Sequence, residues 1–221
     1  MNKIIKILLS IPKTIYLNVR LFPFSIWKYF PIICSYDTKI IVHRGGVKLD
    51  TPPRFAMIRI GLTEGSFNIS AGKYSYFHIA KGGKCIFSEG AILAKGTSLF
   101  VGDQGILTLG AGFSCNANFI CSCGSKITFG DNCMIGWNCT VIDGDGHNVT
   151  TSKEQSKDII VGKHVWIAAE STLLKGTVIP TGSIVAYGSI VSGDLATLSG
   201  DSLLIAGPKA RSIRSGVIWE K

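Results

Sequence analysis

Asp143, Asp145 and His147 alternate with glycines at the head of the segment DGDGHNVTTSKEQSKD, residues 143–158. A neutral imidazole is the usual side chain to take a proton from a hydroxyl near pH 7. A neighbouring carboxylate can fix its tautomer and stabilise the imidazolium that forms during transfer. Taken alone, D-x-D-x-H favours a solvated loop with turn-forming Asp-Gly pairs. What distinguishes it is its position, at the one large break in a repeat that governs the chain.

From Val161 to Ala196 that repeat has a period of six: VGKHVW, IAAEST, LLKGTV, IPTGSI, VAYGSI, VSGDLA. The first position is aliphatic throughout (Val161, Ile167, Leu173, Ile179, Val185, Val191), and the fifth is small at Ser171, Thr177, Ser183 and Ser189. A helix requires apolar spacings of three and four, and an amphipathic strand requires two. Six fits a solenoid in which each hexapeptide makes one flat side and a turn, three to a coil. The frame persists less regularly upstream, in FSEGAI and LAKGTS from Phe87 and in FGDNCM and IGWNCT from Phe129. It runs through Val141 and resumes at Val161, so residues 143–160 are expected to leave the coil as a loop held on a rigid scaffold.

Composition agrees with tight turns around a dry interior: 26 glycines, 46% hydrophobic and 17% charged residues in 221. Of seven cysteines, Cys115, Cys121, Cys133 and Cys139 are separated by multiples of six and read as small fillers of the coil interior, in a reducing cytoplasm. Cys121 and Cys123 form a lone C-x-C with no second pair, which does not make a zinc site. The start, MNKIIKILLSIPK, lacks the small-residue cleavage site of a secretory signal.

The net charge of +9 is uneven. Lys3, Lys6, Lys13, Arg20 and Lys28 precede the first acid, Asp37. On a helical projection Lys3, Lys6, Ser10 and Lys13 share a face, with Ile4, Ile5, Leu8, Leu9 and Ile15 largely opposite. No apolar run reaches bilayer length. Two readings stand together: a basic, aromatic segment lying on an anionic inner membrane face, and a cap over the first coil. Basic residues show no clustered motif elsewhere, which argues against nucleic acid. The chain thus divides into an entry segment (1–50), a repeat domain (51–207) with its loop, and a basic tail (208–221).

In the order IGWNCTVIDGDGH, polar loop, IIVGKHVWIAAES, LLKGTVIP, GSIVAYGSIVSGD and IAGPKARSIR, the chain resembles the hexapeptide-repeat acyltransferases over roughly residues 85–214. It is most similar to the maltose and galactoside O-acetyltransferase branch, and within it to enzymes that acetylate capsular or lipopolysaccharide sugars. The resemblance implies an all-β fold, a three-sided left-handed parallel β-helix, assembled as a homotrimer with acetyl-CoA between subunits. It implies His147 as catalytic base, with Asp145 and Asn138 in the active site. Trp166 and Asp143 fall on the acceptor side. Ala169, Tyr187, Ser192, Arg211 and Arg214 fall along coenzyme A, where a guanidinium fork suits the nucleotide phosphates. Three positions depart from the family: Ala168 for a glycine, Tyr187 for a small residue, and Gly193 for a lysine.

The acceptor is then a sugar hydroxyl, free or in a lipid-linked glycan, with no metal required. N-acetylation of an amino-sugar nucleotide would use the same base and coenzyme. A metal-binding β-helix would need clustered histidines, whereas His43, His78, His147 and His164 lie far apart in sequence. A non-catalytic solenoid would leave the loop without a purpose.

Overall fold

The computed structural model describes residues 3–64, 74–146, 155–197, 200–208 and 211–214. After two helices, α1 (Lys3–Leu21) and α2 (Phe24–Trp27), the chain winds through short strands that fall on three parallel sheets. The first coil is Ile32–Cys34, Lys39–Ile41 and Val47–Leu49, one strand per side. Each later coil stacks in parallel on the one before, so that Ile32 pairs with Ile58, Lys39 with Tyr76 and Val47 with Cys85. On the first side Trp166 pairs with Ile184, eighteen residues on, which is three hexapeptides to the coil. At the far end Leu204–Ala206 extends the first side, and Arg211–Arg214 turns back antiparallel against it.

The repeat produces this shape because one residue per hexapeptide must point inward. The six aliphatic first positions are all at most 1% exposed. Phe113, Phe119 and Phe129 fill the interior of the middle coils with ring centroids 5.1–6.3 Å apart. The small fifth positions Ser171, Thr177, Ser183 and Ser189 are buried where the chain bends. There a hydroxyl can satisfy the backbone of the next coil, as Ser171 Oγ does by donating to the Ala186 carbonyl at 3.0 Å. Cys133 and Cys139 hold equivalent positions and donate to the Gly162 and Ala168 carbonyls, both at 3.1 Å. All seven cysteines are free and buried, as small interior fillers should be.

In the later coils the corner between the first and second sides takes a residue in the left-handed region. Asn118, Asn138, Glu170 and Gly188 take it, at φ 61°, 55°, 62° and 69°. Asparagine and glycine are the residues that tolerate this conformation best.

Two expectations about boundaries are corrected. The solenoid starts at Ile32, within the stretch assigned to the entry segment, because the strands from Ile32 to Leu49 already occupy all three sheets. The loop at 143–160 is also not the sole excursion. Strand Ile58–Ile60 is followed on the second side by Tyr76–Ile79, against a gap of only four residues between Ala91–Leu93 and Ser98–Val101 one coil later.

Helix α1 closes the open end of the coil, and does so with its polar stripe. Leu17, Leu21 and Phe22 are at most 2% exposed and plug the core above Ile32 and Cys34. Beside them Ser10, Thr14 and Asn18 accept the N–H groups of Tyr36, Cys34 and Ile32 at 3.0, 3.1 and 3.2 Å. Four helical residues rise about 6 Å, and two strand residues rise about 6.6 Å. The two ladders therefore run in near register, and the helix satisfies the unpaired edge of the first sheet. Lys13 Nζ donates to the Tyr36 and Thr38 carbonyls at 2.6 and 2.8 Å. The polar face thus meets protein, while Ile4, Leu8 and Ile15 face outward at 64%, 58% and 43% exposure.

Candidate active site

The segment carrying Asp143, Asp145 and His147 leaves between strands Thr140–Ile142 and Ile159–Val161, at the corner joining the second and third sides. Its two limbs are clamped where they leave the coil. Gly144 and Ser156 form an antiparallel bridge, the Asp145 N–H donates to the Gln155 carbonyl at 3.0 Å, and the Lys157 N–H donates to the Asp143 carbonyl at 2.9 Å. Ser125 Oγ donates to Asp158 Oδ1 at 3.1 Å, tying the returning limb to the coil above. His147, two residues past this clamp, lies outside the described residues.

Asp143, expected on the acceptor side, lies at the base of the loop. It is 1% exposed, and its Oδ1 and Oδ2 accept the N–H groups of Gly124 and Ser125 at 2.7 and 2.8 Å. A buried carboxylate must be satisfied in this way, and both oxygens are spent on holding the loop to the preceding coil. In this chain Asp143 is an anchor. Asp145 remains outside the coil, and Lys175 Nζ lies 2.5 Å from its Oδ2. Sequence reading overlooked Lys175. The signal was register: Ile142 pairs with Leu174, so the next residues, Asp143 and Lys175, stack at the same corner one coil apart.

Asn138 stands at the neighbouring corner, between the first and second sides. Its Oδ1 accepts from Asn118 Nδ2 at 2.9 Å and its Nδ2 donates to Glu170 Oε1 at 2.7 Å. The three exposed or half-buried side chains make a polar ladder down three coils. Asn118 and Glu170 are again residues that the sequence did not single out.

Ala169 and Tyr187 follow on the same corner in the next two coils. Ala169 is 4% exposed, and its backbone lies so close to Gly136 that a Cβ there would come within 2.4 Å of the Ala169 nitrogen. Tyr187 is 67% exposed, on the rim. Trp166 projects from the adjoining first side at 36% exposure. Arg211 and Arg214 return along that same side, paired by backbone with Ala206 and Leu204; their side chains lie outside the described residues. Ser192, by contrast, follows strand Ile190–Val191 on the second side and falls at the corner of the loop.

The expected site residues therefore form two groups on two corners of the prism. Asp145, the base of the loop and Ser192 occupy one. Asn138, Ala169 and Tyr187, with Trp166 and the returning tail beside them, occupy the other. Among the described residues no group of three His, Cys, Asp or Glu side chains could hold a metal ion. A cavity of about 670 Å³ lies between α1 and the first coils, and Ile7, Ile11, Ile33, Phe30, Arg59 and Lys95 help to line it.

No protein-family model matches the chain. Over 152 residues it is 31% identical to the polysialic acid O-acetyltransferase of Escherichia coli O1:K1 / APEC, a match covering 66% of this chain and 45% of that protein. The chain thus spans less than half the length of that relative. The crystal structure of the polySia-specific acetyltransferase NeuO is similar with a TM-score of 0.51 at 20% identity, over 84% of this chain and 70% of that one. The hexapeptide-repeat-containing acetyltransferase VCA0836 of Vibrio cholerae O1 biovar eltor, solved in complex with acetyl coenzyme A, is similar at 26% identity and a TM-score of 0.42, over 49% of this chain and 60% of that one. Three parallel sheets wound as a left-handed β-helix give the chain the fold of the hexapeptide-repeat acetyltransferases, and its sequence is similar to that of an O-acetyltransferase.

Proposed function

We propose that this protein transfers the acetyl group of acetyl-CoA to a sugar hydroxyl, in the assembly of a bacterial surface polysaccharide. The observation that carries this reading is the division of the expected site between two corners of one rigid prism. A loop clamped at its base carries Asp145 on one corner, and His147 follows two residues later in the sequence. A tight backbone corner at Gly136 and Ala169, with Asn138, Trp166 and Tyr187, offers an elongated surface on the other. A homotrimer with three-fold symmetry sets one corner of each subunit against a different corner of its neighbour, which would unite the two halves. The 31% identity to a polysialic acid O-acetyltransferase supports a glycan acceptor.

In this reading His147 accepts the proton of the acceptor hydroxyl as its oxygen attacks the thioester carbonyl. The tetrahedral intermediate collapses by breaking the carbon–sulfur bond, and the proton passes from the imidazolium to the departing thiolate of coenzyme A. Corner N–H groups serve the developing oxyanion. Asp145, bridged to Lys175, supports the loop electrostatically. Arg211 and Arg214 serve the nucleotide phosphates. The cysteines are buried inside the solenoid, so attack is direct and needs no acyl-enzyme.

The test is acetyl-CoA-dependent thiol release by the purified protein against free sugars, oligosialic acid, amino-sugar nucleotides and lipid-linked glycans, with the product analysed by mass spectrometry. Ester formation is expected. Amide formation on an amino-sugar nucleotide alone would overturn the O-acetyl assignment.

A further inference from the structure

The first 36 residues contain five basic side chains and no acid, and the helix they form turns its apolar face away from the protein. Ile4, Ile5, Leu8, Ile15, Tyr16 and Val19 lie 43–64% exposed on one continuous face. This face is not surplus surface awaiting a better rotation. Ser10, Thr14 and Asn18 are committed to the sheet edge, Leu17 and Leu21 to the core, and together they fix the helix about its axis. An apolar face of this extent held in water marks an interaction site.

Its surroundings indicate what covers it. Arg20 and Arg44 are exposed and border the same depression as Ile15, Tyr16 and Val19. Phe24 and Tyr29 are 66% and 45% exposed just beyond the helix, and Lys28 Nζ sits 5.0 Å from the Tyr29 ring centroid. Apolar residues flanked by cations and by aromatics with an apolar body are the composition of a helix that lies in a bilayer interface. A second copy docked symmetrically on this patch would set Arg20, Lys28 and Arg44 against like charges. The helix lies beyond the edge strand, across the end of the solenoid, so the flanks stay free for other contacts. No helix among the described residues is long and apolar enough to cross a membrane.

We infer that α1 is an interfacial helix that seats the N-terminal end of the solenoid on an anionic lipid surface, with the solenoid axis pointing away from the bilayer. The inference does not depend on the acetyl-transfer reading, because its test needs no turnover.

The full chain is sedimented with vesicles of phosphatidylcholine alone or of equimolar phosphatidylcholine and phosphatidylglycerol, at low and high salt. Binding is expected only with phosphatidylglycerol present, and is expected to weaken with salt. A combined Leu8→Ser, Ile15→Ser and Val19→Ser variant should lose binding about tenfold or more. Its melting temperature and its light-scattering mass should be unchanged, because all three side chains are 43–58% exposed and none belongs to the buried core. A combined Arg20→Gln, Lys28→Gln and Arg44→Gln variant should lose the preference for phosphatidylglycerol. Failure of the native chain to sediment with anionic vesicles overturns the inference. So does equal sedimentation with both vesicle types, or an oligomer that dissociates when the three serines are introduced, since a second copy would then be the occupant.

Discussion

Asn18 does for Ile32 what a neighbouring strand would do. Its Nδ2 donates to the Ile32 carbonyl at 2.6 Å and its Oδ1 accepts the Ile32 N–H at 3.2 Å, both inside the protein, at a residue with no exposed surface. A β-solenoid has to end somewhere, and an unpaired edge would leave these groups buried without partners or open to another chain. Asn18→Ala should therefore cost about 2–4 kcal/mol, the penalty for orphaning a buried donor and acceptor together. Urea unfolding checks this, with Val19→Ala on the outer face as the control expected to change little. A cost for Asn18→Ala no larger than the control would mean that the edge is not what the helix closes.

Asp143 makes a second prediction of the same kind, with a different readout. Its carboxylate takes two backbone N–H groups from the preceding coil, so Asp143→Ala should lower stability by about 3 kcal/mol, as expected for charge-assisted bonds lost from a buried site. Because this anchor also sets the base of the loop, kcat should fall while KM for the sugar changes little. A variant of native stability with a raised sugar KM would return Asp143 to the acceptor side.

The solenoid was legible from Val161 to Val191 because one physical demand, an inward aliphatic residue in every sixth position, leaves a direct trace in the sequence. The first coil was not, since Ile32, Cys34 and Val47 sit in strands separated by irregular turns. The inward face of α1 was not legible for a related reason. Apolar periodicity normally marks the buried side, but here the partner is a sheet edge with hydrogen bonds to satisfy, and it selects Ser10, Thr14 and Asn18. At the candidate site the residue types were visible but their neighbours were not. The pairing of Lys175 with Asp145 and the ladder through Asn118, Asn138 and Glu170 arise between coils, at separations fixed by coil length. A loop of any length between coils erases that spacing.

The buried thiols give a prediction with a defined pH direction. Burial pushes Cys34 and Cys139 from 9.0 up to about 11, and Cys115 and Cys123 up to about 12. Folded thiols therefore keep their protons where unfolded ones lose them. Stability contributed by this difference is complete below the unfolded value and is lost as pH rises through the folded values. Urea midpoints should fall progressively from about pH 9 upward. At pH 8 the native protein should react with a disulfide reagent only as fast as it unfolds, and all seven thiols should react in guanidinium. A thiol that reacts at once in the native state would contradict this burial and reopen a covalent mechanism.

The proposed reaction divides labour between the two corners, and separate variants should show it. His147→Ala removes the proposed base and should lower kcat by roughly a hundred- to ten-thousand-fold, leaving calorimetric binding of acetyl-CoA intact. Arg211→Ala should weaken that binding by on the order of 1.5–3 kcal/mol, the range for a lost charge-assisted contact. Because the halves are expected to come from different subunits, the two impaired variants should complement each other at acetyl-CoA concentrations too low to saturate Arg211→Ala. Mixed trimers reassembled from His147→Ala and Arg211→Ala chains contain interfaces where an intact loop meets an intact coenzyme surface. Their turnover should exceed the sum of the two parents. Absence of complementation in trimers shown to be mixed would place both halves of the site on one chain.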